Sequence, residues 1–204
     1  MEYLTIYPTS INERSIDQAV KALRDGQIII YPTDTLYALG CDALNNRAIE
    51  KLCAHKGINP DKQLLSVVCA DISQASDYAR IDNHSFALLK RALPGAFTFI
   101  LPASTKLPKV FKGRKTVGVR VPDNPIAQAL AAALGNPILS ASVSVNPDTP
   151  EEAASPESLE MNYENAATLI IDGGEGGTQP STIINCIDST APEIVRQGKG
   201  AISL

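Results

Sequence analysis

The chain contains no tryptophan, and only two histidines and four cysteines occur among its 204 residues. The cysteines are widely spaced, no C-x-x-C pair is present, and the two histidines complete no zinc-ligand pattern. We therefore expect no metal centre, and we expect the thiols to be free and mostly buried. Such thiols are typical of a protein in a reducing compartment.

Two further absences limit the choice of partner. Lys and Arg number 18 against 22 Asp and Glu, so the formal net charge is −4, and a uniformly basic nucleic-acid binder is not indicated. No apolar run reaches membrane length, and the first ten residues lack a charged leader followed by a long apolar region. We expect a soluble cytoplasmic protein, on which a local basic patch remains possible.

What the chain does contain is an alternation of strand-like and helix-like segments. Apolar or alternating runs predict strands over 3–7, 27–31, 64–69, 97–101, 116–121, 137–144, 167–172, 181–187 and 193–196. Helical spacing predicts helices over 16–24, 47–55, 72–78, 84–93 and 126–134, and the proline-rich acidic segment 146–157 predicts a mobile loop. With no repeat and no break in composition, this order predicts a single α/β domain over 1–204 with a mixed sheet.

Polar side chains gather where several of these strands end. Thr33, Asp34 and Thr35 follow the apolar strand at 27–31 directly after a proline that stops it. In open α/β sheets, ligands bind outside the strand ends. A ligand site and a simple polar turn are both compatible with this cluster.

The segment TVGVRV at 116–121 is the most informative strand. Its alternation places Thr116, Gly118 and Arg120 on one face and three valines on the other. A buried arginine is costly unless it meets an anion, and its planar fork suits a carboxylate or a phosphate. The sequence leaves two alternatives open, a bound anionic ligand or an ion pair with an internal carboxylate such as Asp34.

Two other polar groups are candidates for binding. Ser140, Ser142 and Ser144 share one face of the strand at 137–144, as either a hydrogen-bonding surface or a solvated edge. A basic segment beside TVGVRV could attract the phosphates of a nucleotide or of RNA, or could be a solvated loop. Its members are Lys106, Lys109, Lys112, Arg114 and Lys115.

Several motifs in order resemble the YrdC/YciO family. They are YPTDTLYALGCDA, HKGINPDKQLL, PGAFTFILPA, TVGVRVPDNPIAQAL, PILSAS, PSTII and VRQGKG, and they extend over almost the whole chain, closest to the YciO branch. The resemblance implies a twisted mixed α/β sheet with flanking helices and a concave, positively lined cavity. It implies a threonylcarbamoyl-AMP synthase-like nucleotidyltransferase, which uses threonine, bicarbonate and ATP with Mg²⁺ in modification of tRNA to threonylcarbamoyladenosine.

The same resemblance assigns roles to individual residues. Thr35, Arg120 and Ser140 would bind threonine. Lys56, Lys62, Thr116, Ser142 and Arg196 would bind the nucleotide. The basic segment would bind tRNA or double-stranded RNA, which is associated with the family.

Three positions depart from the family pattern. Ile58 stands where the Lys-x-Arg motif has its arginine, Ser144 where Ser-x-Ser-Ala-Asn has its asparagine, and Val67 where some synthases have histidine. Each lost charge-assisted contact removes roughly 1.5–3 kcal/mol of binding. The alternative hypothesis is therefore a binding protein for double-stranded RNA or a nucleotide that has no synthase turnover.

Overall fold

The computed structural model describes all 204 residues and contains ten strands and six helices. The strands are β1 Glu2–Thr5, β2 Ile29–Tyr31, β3 Ala38–Asp42, β4 Ser66–Val68, β5 Phe97–Pro102, β6 Thr116–Arg120, β7 Ile138–Ser142, β8 Leu169–Asp172, β9 Thr182–Asn185 and β10 Glu193–Arg196. The helices are α1 Glu13–Arg24, α2 Asn46–Lys56, α3 Ile72–Tyr78, α4 Asn83–Ala92, α5 Pro125–Leu134 and α6 Pro156–Asn162.

Short polar side chains and glycines set the helix ends. The side chains of Asn12, Asn45 and Asn124 accept hydrogen bonds from the first-turn amides of α1, α2 and α5. Helices α2 and α5 end at Gly57 and Gly135, with φ of 64° and 83°, a conformation that glycine adopts without strain. These signals explain why the helices begin and end close to their predicted limits.

All ten strands belong to one mixed sheet, in the order β1-β8-β2-β3-β7-β4-β6-β5-β9-β10. Strand β4 pairs in parallel with β6 and antiparallel with β7, which brings β6 and β7 to either side of it. The prediction of a twisted mixed α/β sheet with flanking helices is confirmed.

The two faces of the sheet are covered differently. One face carries the larger apolar cluster of 36 buried residues, which includes Val67, Val117 and Val119. On the opposite face a smaller cluster of 17 buried residues joins α1 and α5 to Tyr31, Ala38 and Ile138. Beyond this second cluster, the same face continues as half-buried polar residues, and that part of the sheet holds the candidate site.

Two parts of the chain differ from the sequence-based prediction. Strand β3 was not predicted, because it follows the YPTDT turn closely and its glycine lowers the strand signal. The prediction of a mobile loop over 146–157 was wrong: Pro150–Ala153 forms a 3₁₀ turn and Pro156 starts α6. Ala153, Ala154 and Leu159 are buried there, so these apolar contacts fix a segment that composition alone makes appear disordered.

None of the helices is both long enough and apolar enough to cross a membrane.

We expect Gly40→Ala to destabilise the fold. A methyl group at this position would lie 2.7 Å from both Cγ2 of Ile138 and Cε1 of Tyr31, two buried side chains that have no free space to move into. Overpacking of this kind costs about 1–3 kcal/mol in unfolding free energy, measurable by urea denaturation. Ser142→Ala, a half-buried position on the neighbouring strand β7, is the control, and equal stability of the two variants would contradict the prediction.

Candidate functional site

The pairing of β4, β6 and β7 creates a band of small polar residues, here called the polar strip. Ser66 lies opposite both Gly118 and Ser140, so all three side-chain positions share one face. Counting two residues along each strand adds Thr116, Arg120 and Ser142. The polar strip therefore consists of Ser66, Thr116, Gly118, Arg120, Ser140 and Ser142.

Gly118 keeps the middle of the polar strip flat. A Cβ atom at Gly118 would lie 2.3 Å from Ser66 Oγ and 3.1 Å from Cγ2 of Thr98, which is too close for a side chain. Thr116, Ser66, Ser140 and Ser142 are all half-buried, whereas Gly118 and Arg120 are buried. The strip is thus a shallow surface with accessible hydroxyl groups and a guanidinium at one end.

Arg120 makes the ion pair that the sequence left open. Its Nη2 donates to Asp34 Oδ1 at 3.0 Å and to Thr35 Oγ1 at 2.9 Å, and the side chain is only 5% exposed. The other oxygen of Asp34 accepts from the backbone amide of Asp123 at 3.0 Å. The loop that follows β2 therefore folds onto the end of β6, and Asp34 and Thr35 hold the arginine in place.

The ion pair does not use the whole guanidinium. Nε of Arg120 is buried with no hydrogen-bond partner, and neither Nε nor Nη1 contacts Asp34 or Thr35. Burial lowers the pKa of Arg120, and the opposing charge of Asp34 raises it only in part. The arginine consequently retains donors that a second anion could accept from.

Two more cations lie near this end of the polar strip. Arg196 donates through Nη2 to the carbonyl of Ser181 at 2.7 Å, and Lys199 donates through Nζ to the carbonyl of Asp34 at 2.6 Å. The pKa of Arg196 is lowered, first by burial and then by the positive charge of Arg120. The hydroxyl of Ser181 lies 2.7 Å from Oγ1 of Thr98, and Thr98 adjoins the pair Phe99–Val119 at the Arg120 end of β6. Asp34 is the only carboxylate bonded to any of the three, so the local charge is positive.

Ser140 is held by an aromatic residue. The hydroxyl of Tyr31 donates to Ser140 Oγ at 2.7 Å, and the pKa of Tyr31 is raised to about 12, chiefly by burial. The hydroxyls of Thr33 and Thr35 lie 3.1 Å apart, and Thr33 also donates to the carbonyl of Leu36 at 2.6 Å. These bonds orient the hydroxyl groups beside Arg120 without a ligand.

The predicted nucleotide residues divide between the two ends of the strip. Thr116 and Ser142 lie together at the end away from Arg120, whose α-carbon is four residues, about 13 Å, along β6 from Thr116. Lys56 donates to Ser144 Oγ at 3.1 Å, which joins two positions of the family motifs. Arg196 is held instead by the carbonyl of Ser181 near the Arg120 end, and the carbonyl of Lys62 accepts from Nη1 of Arg114.

The structure explains two of the three positions at which the chain departs from the family motifs. Ile58 packs against the larger apolar cluster, and Val67 is a fully buried member of it. Both side chains therefore serve the core rather than the polar strip. Ser144, in contrast, bonds to Lys56 and its amide donates to the hydroxyl of Tyr163 at 2.9 Å.

The residues of the predicted basic segment have different surroundings. Lys106 forms an exposed ion pair of 2.5 Å with Asp77, and Lys109 begins a 3₁₀ turn. Lys112, Arg114 and Lys115 line a cavity of about 710 Å³, to which Thr116 also contributes. The sequence-based prediction grouped the five basic residues because they are close together in the chain. Proximity in the chain does not reveal that Lys106 pairs with Asp77.

Several residues of the site were not identified from the sequence. Ser66 was counted only as part of a buried strand, and Tyr31 only as a core residue. Lys199 belongs to the quoted VRQGKG motif, but its contact with the Asp34 loop joins residues 165 positions apart. Strand alternation could have revealed Ser66, whereas no local signal indicates the other two.

The fold and the polar strip define a class of α/β protein in which one mixed, twisted sheet carries hydroxyl groups and a buried arginine on part of one face. The chain belongs to the Sua5/YciO/YrdC family, whose model, described as "Telomere recombination", matches residues 21–198. The chain is 40% identical to the uncharacterised protein YciO of Escherichia coli K12 over 98% of this chain and 97% of YciO. The crystal structure of E. coli YciO superposes with a TM-score of 0.88 and covers 98% of each chain.

Two relatives carry more specific names. The threonylcarbamoyl-AMP synthase of Bacillus subtilis is 37% identical over 93% of this chain, which spans 55% of that enzyme. Sua5 of P. abyssi, solved in complex with L-threonine, is 30% identical with a TM-score of 0.85, over 97% of this chain and 58% of Sua5. The predicted family membership is confirmed.

We expect Asp34→Ala to be strongly destabilising. Removal of the carboxylate leaves the buried guanidinium of Arg120 with Thr35 as its one remaining partner. Breaking one side of a buried pair costs about 3–5 kcal/mol, which denaturant unfolding would measure. Asp77→Ala breaks the exposed pair with Lys106 and is the matched control, expected to leave the unfolding midpoint unchanged. A small effect of Asp34→Ala would mean that the pair contributes little.

Proposed function

We propose that the protein is a threonylcarbamoyl-AMP synthase-like nucleotidyltransferase that acts in tRNA modification. The observation that carries this proposal is the buried Arg120, which keeps unpartnered donors beside the accessible hydroxyls of the polar strip. The names of the B. subtilis and P. abyssi relatives support it, as does the complex of P. abyssi Sua5 with L-threonine.

In this proposal, the Arg120 end of the strip takes threonine. The free donors of Arg120 would bind the carboxylate, and the hydroxyls of Thr35 and Ser140 would position the amino acid. Threonine and bicarbonate form a carbamate with loss of water. A carbamate oxygen then forms a bond to the α-phosphorus of ATP, the bond to the β-phosphate oxygen breaks, and pyrophosphate leaves.

The nucleotide would extend from Arg196 toward Thr116 and Ser142. The α-phosphorus must meet the carbamate, so negative charge would develop beside Arg120. Arg196, held by the carbonyl of Ser181, would offset that charge. Lys56 and Lys62, at the other end, would face the remaining phosphates. No cluster of His, Cys, Asp or Glu is placed to hold a metal. Mg²⁺ would therefore enter with the ATP phosphates and water as ligands.

The alternative is a binding protein for a nucleotide or double-stranded RNA without turnover. Ile58 and Ser144 in place of arginine and asparagine favour it, since Ile58 contributes to the core and supplies no charge. For RNA, the favourable observation is the group Lys112, Arg114 and Lys115, and the unfavourable one is the ion pair of Lys106 with Asp77. A cytoplasmic location is part of either proposal and is supported by four buried free cysteines.

We expect the purified protein to release pyrophosphate from ATP only when threonine and bicarbonate are both present. Arg120→Lys keeps the charge and loses the fork, so it should lower the rate about ten- to a hundredfold. Lys106→Ala is the control, because this lysine is paired away from the strip, and it should retain full activity. ATP binding by calorimetry without any pyrophosphate release would favour the alternative, and an undiminished rate in Arg120→Lys would exclude the assigned role of Arg120.

A further inference from the structure

The cavity beside Thr116, here called the Arg80 cavity, is large and separate from most of the polar strip. It has a volume of about 710 Å³, within the range of small-molecule sites. It forms where the connection from β5 to β6 folds beside Arg80, and it shares one residue, Thr116, with the strip. Arg80 was not identified from the sequence.

The charges around the Arg80 cavity are all positive. Arg80, Lys112, Arg114 and Lys115 line it, and no Asp or Glu is among its lining residues. The chain as a whole carries a net charge of −4, so this concentration of cations is local. Four basic residues around one cavity with no acidic residue in its lining repel one another, and an anion with several charges would offset that repulsion.

The backbone at the edge of the cavity is strained. Lys115 has a φ of 58°, and it is the one residue other than glycine with positive φ. A lysine in this conformation costs of order 1 kcal/mol or more, and such outliers cluster at functional sites. Arg114, next to it, donates to the carbonyl of Lys62, which fixes the direction of the segment. The turn therefore presents a lysine where a glycine would be unstrained.

Apolar side chains form the rest of the wall. Leu107 and Phe111 are almost fully buried behind the cavity, and Ile187 is 53% exposed at its edge. A purely inorganic anion would leave this apolar surface uncovered. A ligand that combines phosphates with a flat, partly apolar group matches both parts of the wall.

We propose that the Arg80 cavity binds a phosphorylated small molecule of the nucleoside diphosphate class. The cavity and its four basic lining residues favour a compact polyanion over a duplex, because Lys106 of the row that RNA would follow is paired with Asp77 and Lys109 does not line the cavity. The inference does not depend on synthase activity, since the cavity has its own cations and borders the strip only at Thr116, at the end opposite the proposed threonine site.

Calorimetric titration of the full chain with uridine diphosphate and with inorganic pyrophosphate tests the proposal. We expect both to bind, the nucleotide more tightly because its base covers the apolar wall. The double variant Arg80→Gln/Lys112→Gln should weaken both by about tenfold or more. Lys106→Gln removes a neighbouring charge that is paired with Asp77, and it should leave both affinities unchanged.

Three results would overturn the proposal. The first is an absence of binding by either probe, and the second is unchanged affinity in Arg80→Gln/Lys112→Gln. The third is loss of binding in Ser142→Ala, which would assign the probes to the polar strip. Tight, salt-dependent binding of a short RNA duplex that the double variant abolishes, with no binding of uridine diphosphate, would assign the cavity to RNA instead. Pyrophosphate release from ATP is measured separately, so failure of the synthase proposal is distinguishable from failure of this one.

Discussion

The arrangement of the site depends on one buried guanidinium that is only partly neutralised. Arg120 meets Asp34 and Thr35 through a single nitrogen, while its Nε stays without a partner. A pair made only for stability would use both nitrogens of the fork, since burial of an unsatisfied donor costs about 1–3 kcal/mol. We interpret Asp34 as the group that keeps the arginine buried and oriented when no ligand is bound.

This interpretation joins the two alternatives that the sequence left open for Arg120. An internal carboxylate and an anionic ligand need not compete, because they can use different nitrogens of one guanidinium. Asp34 is itself held by the amide of Asp123, and its carbonyl accepts from Lys199. The loop after β2 is therefore fixed on three sides, which allows Thr35 to present its hydroxyl in a constant position.

The sheet explains why a site can exist on this face. Helices α1 and α5 cover the apolar part that includes Tyr31 and Ile138. Where the strands carry serine, threonine and glycine instead, no helix packs, because there is too little apolar surface to bury. The same alternation that places Val117 and Val119 in the larger core thus leaves Thr116 half-buried on the opposite face, where its hydroxyl group is accessible.

Much of this could be predicted from local pattern. Alternation in TVGVRV gave the correct face for Arg120, and asparagine caps and glycines gave helix limits that agree to within about three residues. Contacts between distant segments could not be obtained in this way. Lys199 meets the Asp34 loop, and Lys106 is neutralised by Asp77, only because of the order of strands and helices in space.

The departures from the family pattern also combine a local change in sequence with a contact between distant segments of the chain. Ile58 replaces a charge with a core contact, so the phosphate end of the strip loses a guanidinium close to α2. The structure holds Arg114 against the carbonyl of Lys62, which brings a guanidinium from another part of the chain to the loop that follows Ile58. Positive charge at this end therefore comes from the β5–β6 connection as well as from Lys56 at the end of α2. In the proposed function, a change in which segment supplies the cations would alter the direction from which phosphates are held, and this would be the physical basis for selecting a ligand different from that of the synthases.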